Sequence, residues 1–109
     1  MHVEYDEHVG GDEARMNIEG VIWLANVVDK LAFKHHVEIH EVEQLFAGEP
    51  KFRYVEKGER ESEDVYMALG QTDAGRYLTV LFLRKKTKEA LVLSARDMAE
   101  KERKMYGRK

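Results

Sequence analysis

The spacing of apolar residues changes at Pro50, and that change decides the class of fold this chain can adopt. Before it, Leu24, Val27, Val28 and Leu31 fall at helical intervals. Ile39, Val42, Leu45 and Phe46 do so again, and that run ends at Gly48, just ahead of the proline. After it the period becomes two. Phe52 and Tyr54 read as one strand, Val65 to Leu69 as a second, and Tyr77 to Leu83 and Ala90 to Ala95 as two nearly continuous apolar central strands. The segment from Gly70 to Gly75 reads as a hairpin turn, and Arg84 to Lys88 as a polar turn. A short charged helix closes the chain, with Asp97 and Glu100 at capping-box spacing. The predicted order is two N-terminal helices, an antiparallel sheet of about four strands and a C-terminal helix. That is an α+β domain with helices on one face of the sheet. Ile18 to Trp23 fits either a short strand or the approach to the first helix.

At 109 residues the chain has room for one hydrophobic core. Residues 18–109 are read as that domain. Residues 1–17 are acidic, hold a Gly-Gly pair and show no sustained period, so they are expected to form a flexible lead-in or a loosely attached edge. The apolar runs at Val21–Ala25 and Val80–Leu83 are too short to span a bilayer. The acidic start lacks the basic-then-apolar order of a secretion signal. Cysteine is absent, which removes disulfides and thiolate metal sites and fits a reducing cytoplasm.

The formal net charge of −3 hides an asymmetry. Residues 1–50 carry 3 Lys/Arg against 11 Asp/Glu, a balance of −8, and residues 51–109 carry 15 against 10, a balance of +5. The basic excess gathers at Arg76, Arg84 to Lys88, Arg96 and the tail from Lys101. Such blocks attract phosphate backbones or acidic protein surfaces, or simply form a solvated face. The five histidines match no standard metal motif: His36 and His40 stand one turn apart with no HExxH frame around them. No metal site or cofactor is expected.

Several strings, taken in order, resemble the BrnT family of bacterial toxins, ribonucleases with a RelE-like fold. They are Lys34-His35-His36-Val37 before the Glu41–Phe46 helix, Ala68-Leu69-Gly70-Gln71-Thr72, Gly75-Arg76-Tyr77-Leu78, and Ser94-Ala95-Arg96-Asp97-Met98 with Lys101-Glu102-Arg103 and Tyr106. The resemblance covers about residues 21–107. It departs from the family pattern at His36, where glycine is usual and suits a helix end at positive φ. It departs again at Glu38, where a serine or threonine cap is common.

The resemblance implies a metal-independent ribonuclease toxin of a type II toxin-antitoxin pair acting on cytoplasmic RNA. A ribbon-helix-helix antitoxin would neutralise it, and operator DNA would be touched only through that partner. An exposed apolar patch, covered by the antitoxin or by a second copy in a homodimer, is a corollary. Cleavage by attack of the ribose 2′-hydroxyl needs a base, an acid and fixed positive charge for the phosphorane. Arg96 is the first choice for that charge, since a guanidinium grips phosphate in a bidentate way. Arg76 is the expected neighbour for it across the sheet. Glu102 is the candidate base, Tyr106 the acid or a stacking surface, and His35 either base or acid. Arg84, Lys85, Lys86 and Arg103 are candidate RNA-binding residues. Each has a structural alternative: an ion pair from Arg96 to Asp97 or Glu102 that clamps the last helix, a solvated strand start at Arg76, a packing role for Tyr106, a helix-capping role for His35. A non-catalytic protein-interaction module on the same fold is the second reading of the whole chain.

Overall fold

The computed structural model describes residues 16–60 and 63–108. In chain order these form β1 (Gly20–Ile22), α1 (Ala25–Lys30), a π-helical turn (Leu31–His35), α2 (Ile39–Ala47), β2 (Lys51–Glu56), β3 (Val65–Gln71), β4 (Tyr77–Arg84), β5 (Glu89–Asp97) and α3 (Glu100–Gly107). The expected lead-in falls almost wholly on residues 1–15, which lie outside the described residues. Met16 and Ile18 already pack against the core.

The fold is α+β, as the periods imply, but α3 packs on the face opposite the N-terminal helices instead of sharing theirs, and the sheet has five strands in the order β1-β5-β4-β3-β2. It is mixed, because β1 runs parallel to β5 while every other pair is antiparallel. The expectation of about four antiparallel strands missed β1. Three residues are too few to display a period, and parallel pairing joins it to a strand far along the chain.

One face of the sheet carries the core. Leu31, Val37, Val42 and Leu45 descend from the helical layer onto Phe52, Ala68, Leu78, Val80, Phe82, Ala90, Val92 and Ala95. Phe46 and Phe52 both meet Phe82, edge-on, with ring centroids 5.3 and 5.9 Å away. Gly70 lies in β3 opposite Leu78 rather than in the hairpin turn. A Cβ placed there would stand 2.9 Å from Leu45 Cγ, so the glycine lets α2 approach the sheet closely.

A β-bulge in β5 controls which residues face that core. Phe82 pairs with Val92 and Leu81 with Ser94, leaving Leu93 without an opposite residue. Ala90 and Val92 point into the core before the bulge, and Ala95 does so after it. The alternation therefore switches from even to odd numbers, and Arg96 is turned to the opposite face, across from Thr79.

The helical layer ends at His36, which has φ 55° and ψ 40° and caps the π-helical turn by donating its N–H to the Leu31 carbonyl. Histidine thus takes the left-handed conformation in which a side chain costs about 1–2 kcal/mol. Glycine would remove that strain and lose about 0.5–1 kcal/mol to its own backbone freedom. His36→Gly is expected to stabilise the domain by about 0.5 kcal/mol on that balance. Urea unfolding measures this, and a loss of stability would show that the imidazole has a structural role.

Candidate functional site

Beyond the bulge, β5 ends in two adjacent residues that serve opposite faces of the sheet. Asp97 turns to the helical layer and Arg96 to the face beneath α3. Each anchors its own cluster.

On the helical side, Asp97 Oδ1 accepts from Arg76 Nε at 2.7 Å. Arg76 Nη1 donates to the His36 carbonyl at 2.7 Å and to Glu41 at 3.1 Å, and Nη2 donates to the His35 carbonyl at 3.1 Å. Glu41 in turn accepts from the backbone N–H of Glu38, which closes the start of α2. Arg76 therefore gathers the free carbonyls of one helix end, the first turn of the next helix and the last residue of β5. All three of its nitrogens are engaged in holding the fold. The expectation that Arg76 would join Arg96 fails because strand alternation and the bulge put the two on different faces. His35 enters the cluster through its carbonyl, on the Arg76 side.

On the other face, Arg96 and Glu102 form a bidentate pair, Nη1 to Oε1 and Nη2 to Oε2, both at 2.7 Å. Glu102 Oε1 also accepts from the Thr79 hydroxyl at 2.9 Å and from the Ala99 N–H at 2.8 Å. The expected capping frame of Asp97 and Glu100 thus falls two residues too early. Asp97 still belongs to β5, and the cap is one-sided, the Ala99 N–H donating to the Glu102 side chain. The Glu102 side chain is 8% exposed, whereas that of Arg96 is 40% exposed. Arg96 Nη1 makes one further bond, to the Asp97 carbonyl. Among the described residues nothing accepts from Nε or from the second Nη2–H. The side edge of the guanidinium is therefore open while its end is fixed.

The surroundings are aromatic and cationic. Tyr106 packs edge-on against Tyr77 at 5.9 Å, and the Arg103 guanidinium lies 3.7 Å from the Tyr77 ring centre. Lys51 Nζ stands 5.7 Å from the Tyr106 ring and donates to the Arg108 carbonyl. Tyr77, Thr79 and Lys51 were not among the sequence candidates. Tyr77 and Thr79 alternate onto this face, so the period of β4 could have found them once the register of the bulged hairpin was known.

The Arg96 fork, opposing the cost of burial and helped by Ala99 N–H and the Thr79 hydroxyl, holds the Glu102 carboxyl down to about 2. Such a group is a weak base, and both of its oxygens are paired with Arg96, so Glu102 does not suit the base role. It positions Arg96. Arg84, Lys85 and Lys86 lie at the far end of β4, five residues from Thr79 and roughly 17 Å along the strand. Arg84, like Phe82, alternates onto the helical face. Of the RNA-binding candidates only Arg103 shares the face of Arg96. Among the described residues no group of three or more His, Asp or Glu is placed to hold a metal ion. No helix among them is long and apolar enough to cross a membrane.

The geometry defines an α+β domain whose sheet bears a helical layer on one face and, on the other, an arginine fork steadied by a short charged helix. The chain belongs to the BrnT family: residues 23–102 match the family described as ribonuclease toxin, BrnT, of type II toxin-antitoxin system. The fold is shared with the crystal structure of the Brucella abortus ribonuclease toxin BrnT, at a TM-score of 0.54 and 17% identity over 73% of this chain and 96% of that one. Comparison with curated proteins gives no match.

The depressed carboxyl makes an acid-stability prediction. Because the folded state holds Glu102 below its ordinary value of 4.5, the stability it contributes is complete above that value and is lost as pH falls toward about 2. With its partner partly solvated, the contribution is on the order of 2 kcal/mol. Glu102→Gln should flatten the stability profile across that window and lower stability at pH 7. Equal pH slopes for the two proteins would contradict the pairing.

Proposed function

We propose that the chain is the ribonuclease toxin of a type II toxin-antitoxin pair, cutting RNA without a metal through the Arg96 face. The observation that carries this is the half-free guanidinium. Glu102 occupies the end of the fork, and the side edge, Nε with Nη2, points to solvent with nothing bound among the described residues. That edge matches two oxygens of a phosphodiester.

In this reading the 2′-hydroxyl gives its proton to solvent water as it attacks phosphorus, and Arg96 stabilises the extra negative charge on the phosphorane. Family membership supports RNA as the substrate, and a 2′,3′-cyclic phosphate is the expected first product. Fixed guanidinium charge here does the work a metal ion does elsewhere. Tyr77 and Tyr106 offer ring surfaces for bases, with Arg103 alongside for the backbone. The Tyr106 hydroxyl is the proposed proton donor to the departing 5′-oxygen. His35, on the Arg76 side of the sheet, has no part in this arrangement.

The proposed partner is a ribbon-helix-helix antitoxin in the cytoplasm, through which alone the toxin would meet operator DNA. The expected apolar surface exists in pieces. Phe33 is 83% exposed on the π-helical turn, with Leu24 and Ile39 also exposed in the helical layer. A contact by the antitoxin, or by a second copy, is proposed there. One observation favours the non-catalytic reading: the carboxylate at the site is paired with Arg96 through both oxygens and is a weak base. The same assay decides between them.

Purified protein incubated with RNA in EDTA should produce fragments ending in a cyclic phosphate, and a 2′-deoxy analogue should stay whole. Arg96→Lys keeps a charge for Glu102 but loses the side edge. It should cut about 10²-fold more slowly with its fold intact by circular dichroism, the scale set by removal of one oxyanion donor. Intact RNA, or an Arg96→Lys enzyme as fast as the parent, would refute the catalytic reading.

A further inference from the structure

We infer that the concavity under the β4–β5 turn is a second, separate phosphate-binding site centred on Arg84. Its volume is about 330 Å³, and Arg84, Lys85, Lys86 and Lys88 line it with Asp64 and Tyr66. Four cationic side chains thus face one carboxylate. Lys85 is already paired, its Nζ 3.0 Å from Glu63. Arg84, Lys86 and Lys88 have no ion-pair partner among the described residues.

Arg84 is the informative member. It is half-buried, and its Nε is shielded from solvent with no hydrogen-bond partner among the described residues. Arg76 and Arg96, by contrast, are each locked to carboxylates. A shielded donor without an acceptor is unfavourable, so the guanidinium gains by any small outward shift that meets an oxyanion. Asp64 does not fill that role. Its Oδ1 accepts from the Gly58 N–H, and its carbonyl from the Arg84 N–H. The turn is pinned at both ends, by Lys85 N–H to the Glu89 carbonyl and by Lys88 N–H to the Lys85 carbonyl. The cations are therefore presented by a fixed backbone. A phosphate group, anionic and with several acceptor oxygens, can meet a guanidinium and neighbouring ammonium groups together.

This site is independent of the Arg96 face. It lies at the other end of β4 and on the other side of the sheet, so one phosphate cannot touch both. The phosphate can come from the RNA backbone as an anchor outside the cleaved segment, or from a free phosphate or nucleotide.

Arginine Nε–H signals in NMR spectra of the intact protein test the inference, because a shielded Nε–H exchanges slowly enough to be seen. Two probes are titrated separately: inorganic phosphate, and a fully 2′-O-methylated RNA oligonucleotide that cannot be cut. Movement of the Arg84 signal by either probe is the expected result. A response to the oligonucleotide at tenfold or more lower concentration assigns the source to RNA, and a response to phosphate alone assigns it to a free phosphate. Arg84→Gln should weaken the responding probe at least tenfold, whereas Arg96→Lys should leave the Arg84 response unchanged, which separates this site from the Arg96 reading. A still Arg84 signal with both probes overturns the inference. So does a signal moved only by an acidic peptide, which would make the surface a protein contact.

Discussion

The bidentate contact between Arg96 and Glu102 fixes the part of this molecule that faces solvent with chemistry to offer. It ties the end of β5 to the first turn of α3. Thr79 and the Ala99 N–H bind the same carboxylate, so the helix, two strands and the guanidinium are joined at one point. The pair's contribution to stability is confined to pH values above the depressed range of the carboxyl. What it supplies is orientation: a long flexible side chain held with one edge occupied and the other turned outward. In the proposed function that edge takes the reacting phosphate, where cleavage calls for fixed positive charge.

The two arginines at this corner divide the work because a bulge separates them. Without the extra residue at Leu93, Arg96 would fall on the core face with Ala90 and Val92. With it, Asp97 turns inward to Arg76 and Arg96 turns outward to α3. Arg76 is then a fold clamp, binding helix carbonyls and two carboxylates. The basic half of the chain is likewise split in space. Arg96 and Arg103 share one face, and the Arg84–Lys88 turn occupies the opposite end. A single count of positive charges along the sequence merges surfaces that the fold keeps apart.

Much of the architecture was legible because periods report burial. The helical runs ending at Gly48, the four longer strands and the terminal helix all follow from which residues had to be inside. Glycine is usual at the His36 position in the family the chain resembles, and the structure keeps there the left-handed helix end that glycine suits. The failures have equally specific causes. β1 is three residues long. Gly70 reads as a turn residue, although its function is close approach of Leu45. Asp97 and Glu100 have capping-box spacing, yet pairing with Leu78 keeps Asp97 in the strand and moves the helix start to Glu100. The Arg76–Arg96 neighbourhood failed on the bulge, a one-residue shift that reverses every later side chain and that no period reveals. Local pattern cannot report contacts that depend on long-range register.

The central claim is that Arg96, held end-on by Glu102, presents its remaining edge to a phosphodiester. The most direct measurement is a crystal structure of the protein with a short 2′-O-methylated RNA. The account predicts a phosphate oxygen pair within about 3 Å of Arg96 Nε and Nη2, with the Glu102 contacts unchanged and a base against Tyr77 or Tyr106. RNA seated instead on the Arg76 side, or bound with Arg96 untouched, would contradict it.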